Sequence, residues 1–203
     1  MRIGWAITGA VAALMLAGAA HAQQANGAVA GNFRLTDANG KVVSLSDYRG
    51  KTVVLEWNNP GCPFVQKHYN SGNMQRTQAA ATAGGAVWLS INSGAPGKQG
   101  HMTGPEAKAF VASAKAKPTA YLLDPQGRVG RGYAAKTTPH LYIIDGKGVL
   151  RYQGGIDDKP TANAADIAGA RNHVTAALTE LRAGKPVSVA ETRPYGCSVK
   201  YAE

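Results

Sequence analysis

Between Thr52 and Phe64 the chain reads Thr-Val-Val-Leu-Glu-Trp-Asn-Asn-Pro-Gly-Cys-Pro-Phe, and this stretch constrains the fold more than any other. An almost continuously apolar run of β-branched and aromatic residues specifies a central strand covered on both faces. Pro60-Gly61 then makes a tight turn, and Pro63, which has no amide hydrogen to leave unpaired, opens a helix. Cys62 therefore falls at the N-cap, facing the positive end of the helix dipole, where a thiol ionises more readily. The plainer alternative is a buried, inert cysteine or one half of a permanent clasp.

The first 22 residues have the pattern of a secretory signal. Arg2 supplies the charge, Ala6 through Ala20 is apolar and uncharged, and Ala20-His21-Ala22 offers a small-x-small cleavage site. The run is short for a bilayer span and lacks a stop-transfer cluster, so export to a periplasmic compartment with cleavage near Ala22 is expected. No second hydrophobic span follows. The net charge of +10 is carried by Lys and Arg scattered singly, which argues against nucleic acid and for mild attraction to acidic partners. Cys62 and Cys197 are the two cysteines, and two thiols in an oxidising compartment usually pair. As a permanent bridge they would close a loop worth roughly 5 kcal/mol of chain entropy.

Around the central strand the order of elements is regular. Phe33–Leu35 and Lys41–Val43 flank Asn39-Gly40 as a β-hairpin, and 44–50 is a turn-rich connector. Helical pieces from Pro63 and Met74 lead to a strand over 86–92, which implies a parallel pair with Cys62 at the carboxyl end of its strand. The loop 93–104 departs from a phosphate-binding pattern, since Asn92 and Gln99 stand where a glycine and a hydroxyl residue are required. A helix from Pro105, a strand over 119–123 and a second hairpin, 140–144 with 149–152, follow. Ile167, Val174, Leu178 and Leu181 mark a last helix ended by Gly184. The expected division is a signal peptide (1–22), a flexible start (23–31), one domain (32–186) and a tail (187–203) carrying Cys197.

This order resembles the thioredoxin fold in its redoxin form, the group that includes the AhpC/TSA and TlpA-like proteins. The resemblance implies an α/β architecture, a central mixed β-sheet flanked by helices, with an N-terminal β-hairpin and a C-terminal tail. It spans about 32–184 and rests on separate marks. Cys62 sits where the attacking cysteine of a Cys-x-x-Cys falls, although the residue three later is Val65. Glu56, six before Cys62, matches the family's buried acid, a proton-transfer group. Thr138-Pro139 before a strand resembles its cis-proline, which lies against the reactive cysteine. Asn59-Pro60-Gly61-Cys62 is similar to the peroxiredoxin Thr-x-x-Cys, with Asn59 in place of the hydroxyl residue. The tail Gly196-Cys197-Ser198-Val199-Lys200-Tyr201 resembles that of a bacterial redoxin subfamily with a lone loop cysteine and a C-terminal one.

What the resemblance implies is thiol–disulfide exchange with a protein or small-thiol partner. Cys62 would attack, Cys197 would swing in to resolve the mixed disulfide, and Glu56 would assist. Asn59, Pro60, Gly61, Pro63, Thr138 and Pro139 would form the surface that meets the substrate. Lys67 and His68 would add positive field near the sulfur or point to solvent. No organic cofactor and no metal is implied. One rival is a thiol peroxidase in which a hydroperoxide oxidises Cys62 to a sulfenic acid that Cys197 condenses with. The other is a non-catalytic binding module with a structural Cys62–Cys197 bridge.

Overall fold

The computed structural model describes residues 24–203, so the expected signal peptide over 1–22 lies outside the described residues. The first hairpin is β1 (Arg34–Asp37) and β2 (Val42–Ser44), paired antiparallel. Its turn is closed by the Asp37 carboxylate, which accepts from the amides of Asn39 and Lys41, and Gly40 takes φ +84°. The connector Leu45–Tyr48 is one 3-10 turn.

The central strand β3 (Val53–Trp57) is buried at every position and leads through Asn58–Gly61 into α1 (Pro63–Asn70). Then come α2 (Asn73–Ala83), β4 (Val87–Asn92), α3 (Gly104–Ser113), β5 (Ala120–Leu123), the short α4 (Arg128–Gly132) and β6 (Thr137–Thr138). After them stand β7 (His140–Ile144), β8 (Leu150–Gly154), α5 (His173–Arg182) and, in the tail, β9 (Cys197–Ser198). The main sheet has the order β2-β1-β5-β4-β3-β7-β8, while β6 and β9 make a separate two-stranded ladder. β3 runs parallel to β4, and β4 to β5; the β3–β7 and β7–β8 pairs are antiparallel. The sheet is mixed, as the resemblance implies.

Side chains alternate between two cores. Val53, Leu55 and Trp57 of β3, with Leu89, Ile91, Tyr142 and Ile144, pack under Phe33, Tyr133 and Ala135 on one face. Val54 of β3, with Trp88, Leu141 and Ile143, packs on the other face against Val65, Tyr69, Met74, Val174 and Leu178 of the helices. A strand buried on both sides needs apolar residues at both parities, which is why β3 reads as a continuous hydrophobic run.

Two expectations are corrected by this arrangement. The stretch 24–31, expected to trail freely, lies along the second hairpin: Ala30 is buried, Val29 bridges Val149, and Gly27 donates to Leu150 O at 2.8 Å. Ile167 does not belong to the last helix. It sits in a 3-10 turn, Ala164–Gly169, after which Ala170 is extended, and α5 starts anew because the Asn172 side chain accepts from the Thr175 amide at 2.9 Å. The short α4, rich in glycine, is an element beyond those expected from the sequence.

Candidate active site

The local sequence builds the sulfur's mount directly. Cys62 is the N-cap of α1 with Pro63 in the first turn. Asn59 folds back so that its side-chain oxygen accepts from the Gly61 amide at 2.9 Å, shaping the turn, while its side-chain nitrogen donates to Gln99. Pro60 is half-buried, Gly61 and Pro63 are exposed, and Cys62 itself is only 1 % exposed.

What covers the sulfur is the tail. In the β6–β9 ladder Thr138 pairs with Cys197 and Thr137 with Ser198. The Thr138-Pro139 bond is cis, and both residues are buried. Gly196 lies so close to this segment that a Cβ there would stand 2.1 Å from the Thr138 carbonyl oxygen, and its φ is +135°, so only glycine permits the approach. Thus the surface expected to receive substrate, Thr138 and Pro139, is occupied by the chain's own tail.

The two cysteines meet here as free thiols, Cys62 buried and Cys197 partly exposed. As a thiol, Cys62 donates to the Thr138 carbonyl at 3.0 Å. Burial pushes its pKa up, but hydrogen bonding from the Cys197 thiol and amide, the Val65 amide and Thr138 outweighs this and leaves it below the ordinary thiol value. Cys197 moves the opposite way, to about 11, through its own burial and the neighbouring Cys62, with Lys200 opposing. The two sulfurs therefore move in opposite directions, with Cys62 the more readily ionised of the pair.

The tail is pinned on both sides of Cys197. Upstream, Tyr195 donates its hydroxyl to Asp157 Oδ1 and lies 3.1 Å from His68 Nε2. Asp157 Oδ2 stands 3.7 Å from Lys67 Nζ and 3.9 Å from His68 Nε2, and Lys67 also donates to Lys159 O at 2.7 Å. Lys67 and His68, expected to add field at the sulfur or face solvent, are instead fully buried in this clamp. Burial, with Lys67 adding and Asp157 opposing, lowers the His68 pKa to about 4, so the ring is neutral at pH 7. Downstream, Val199 donates to Lys136 O, Ala95 donates to Lys200 O, and Tyr201 donates to Ala135 O at 2.8 Å. The Tyr201 ring rests on α4, where a Cβ at Gly130 would lie 2.5 Å from its hydroxyl. Tyr195 and Asp157 escape sequence reasoning: Tyr195 is marked only by the Pro-Tyr-Gly-Cys run of the tail, and Asp157, in Gly155-Ile-Asp-Asp-Lys159, by nothing.

Glu56 is buried on the helix side of β3, and five donors converge on it. Oε1 accepts from Asn58 Nδ2 at 2.9 Å and Tyr69 OH at 2.8 Å; Oε2 accepts from Gln78 Nε2 at 3.1 Å and from Trp88 Nε1 and Ser90 Oγ at 2.8 Å each. Neither cysteine is among its partners. The acid matched to a proton-transfer role is thus tied to β4, α1 and α2.

Solved structures similar to this one agree on the fold. A hypothetical protein from Sinorhizobium meliloti shares 23 % identity over 88 % of this chain and 95 % of its own, with a TM-score of 0.74. An uncharacterized conserved protein from Geobacillus kaustophilus shares 26 % over 89 % and 94 %, also at 0.74. A candidate thiol:disulfide interchange protein DsbE from Chlorobium tepidum shares 27 % over 64 % and 85 %, at 0.53. No curated protein matches the sequence. Residues 26–153, which hold the front hairpin, Cys62 and the sheet through most of β8, match the AhpC/TSA family. The chain therefore belongs to the AhpC/TSA family and carries its thioredoxin-like fold.

Proposed function

We propose that this chain is an exported thiol–disulfide oxidoreductase whose working couple is Cys62 and Cys197. The observation that carries the reading is the pairing of one sulfur of lowered pKa with a second, held beside it by the β6–β9 ladder. In the dithiol, the Cys62 thiolate is the nucleophile that closes the bridge; opening it returns two electrons to the protein. Cys197 has no swing to make, because its strand is docked on both sides. The partner is a thiol or disulfide on a protein or a small molecule. The likeness to the Chlorobium protein, 27 % identical, supports this chemistry over peroxide reduction. So does the absence of any charged side chain among the hydrogen-bond partners of Cys62 in the described residues. Export is supported by the apolar run before Ala22 and by the use of two cysteines.

The deciding experiment equilibrates the full chain, cleaved as it is exported, in glutathione and dithiothreitol redox buffers and counts alkylated cysteines by mass. A single two-electron transition at a potential above about −300 mV is expected. A bridge that resists reduction below that value makes the pair a structural clasp and overturns the proposal. Loss of thiol with hydrogen peroxide no faster than free cysteine is expected; a fast reaction would mark a peroxidase.

A further inference from the structure

Cys62 and Cys197 differ in what can reach them. Cys62 is 1 % exposed and forms part of the apolar cluster with Val54, Val65 and Leu141, while Cys197 lies on the outer strand of a two-stranded ladder and is partly exposed. An open cleft of about 610 Å³, lined in part by Thr137, Tyr195 and Gly196, runs beside the tail at the residues that flank Cys197 and its ladder. Displacement at a disulfide sulfur is in line, so the incoming thiolate must arrive on the side away from the sulfur that leaves. Cys197 keeps partial exposure from which an incoming thiolate can approach. For attack on Cys62 the incoming group must reach a sulfur enclosed by the tail, the Thr138-Pro139 segment and the start of α1.

Resting on the exchange reading above, we infer that Cys197, rather than the loop cysteine, is the sulfur through which an outside thiol opens the Cys62–Cys197 disulfide. The order expected from the position of Cys62 in its loop is thereby reversed. An incoming thiolate forms a bond to Cys197 Sγ, the Cys62–Cys197 bond breaks, and Cys62 leaves as a thiolate. A second thiolate then attacks the outer sulfur of the mixed disulfide, releasing the Cys197 thiolate, which takes up a proton. Two thiols are oxidised to one disulfide and the protein gains two electrons. The ionisation order supports the same direction: a low-pKa thiolate leaves faster, and Cys62 is the lowered member of the pair. Run backwards, a partner disulfide is taken up on Cys197 and expelled by the Cys62 thiolate, so the buried sulfur closes the bridge without meeting the partner.

The test mixes the oxidised full chain with glutathione in quenched flow, stops it with acid, alkylates free thiols and maps both cysteines by mass spectrometry. Glutathione on Cys197 with the alkyl group on Cys62, in at least about tenfold excess over the opposite adduct, is expected. Glutathione on Cys62 overturns the assignment. A kinetic measurement decides where the adduct is too short-lived to trap. Opening through the partly exposed Cys197 leaves the rate with a bulky thiol within about tenfold of that with a small thiol of the same pKa, and a larger fall marks attack on the enclosed Cys62 and overturns the assignment. A bridge that glutathione opens at no concentration refutes the exchange reading itself, an outcome distinct from either of these.

Discussion

Thr138 and Cys197 are register partners in a ladder of only two residues a side, and that ladder brings the C-terminal sulfur to the helix-capping one. The donors that lower the Cys62 pKa come largely from this strand. Cys197→Ala removes the thiol donor while leaving the backbone ladder that covers the sulfur. The pH midpoint of Cys62 alkylation is expected to move upward in that variant. Cys197→Ser, which keeps a donor of similar size, moves it less. An unchanged midpoint in the alanine variant would show that the cap alone sets the acidity.

Tyr195 holds the tail two residues before Cys197 through Asp157 and His68. Tyr195→Phe deletes one hydroxyl and leaves Asp157 Oδ1 with the Lys159 amide as its remaining hydrogen-bond donor. A hydrogen bond to a charged group contributes about 1.5–3 kcal/mol, and the tail is docked with both thiols free, so the stability of the dithiol read from its urea midpoint should fall by about that much while the equilibrium constant for closing the disulfide against glutathione stays within about threefold of wild type. Urea titration and thiol counting in redox buffers measure the two. A fall in the closing constant beyond about tenfold would mean that the β6–β9 ladder does not hold the tail without Tyr195.

Glu56 accepts five hydrogen bonds, and an amide in its place must turn an NH₂ toward groups that are themselves donors. Glu56→Gln is expected to cost about 2–3 kcal/mol of stability, read from the urea midpoint. Because neither cysteine touches this carboxylate, the pH profile of Cys62 alkylation should stay where it is. A displaced profile would restore Glu56 to the proton-transfer role that its position in the sequence suggests.

Two buried histidines make the fold sensitive to acid. Burial, reinforced by Lys136, holds His140 down at about 3, and His68 lies at about 4, against 6.5 for an unperturbed ring. Between those values and 6.5 the unfolded chain binds protons that the folded chain refuses. Stability is therefore full above about pH 6.5 and falls as pH drops, by about 1.4 kcal/mol per unit for each histidine. Denaturant titrations from pH 7 to pH 5 test the slope, and His140→Gln should make it shallower. An equal slope in that variant would place the proton uptake elsewhere.

The strand–turn–helix around Cys62 is legible because its signals are local: an apolar run, Pro60-Gly61, and a proline after the cysteine. The alternation of Val53, Leu55 and Trp57 against Val54 and Glu56 likewise follows from the period of a strand. The clamp is not legible, since Lys67 and His68 sit at ordinary helical positions and their partners Asp157 and Tyr195 stand far along the chain. β9 is too short to show any period. The Gly127-Arg-Val-Gly-Arg-Gly run shows no helical period, and the reason for Gly130, the ring of Tyr201 above it, becomes visible only once the tail is in place.

With the last residues fastened by Tyr195 before the outer sulfur and by Tyr201 after it, the dithiol already has the outline of the bridged form. Gaining or losing two electrons alters the chemistry at one point and hardly changes the silhouette. A reader of this molecule must sample the sulfur itself, because shape carries almost no record of its redox state.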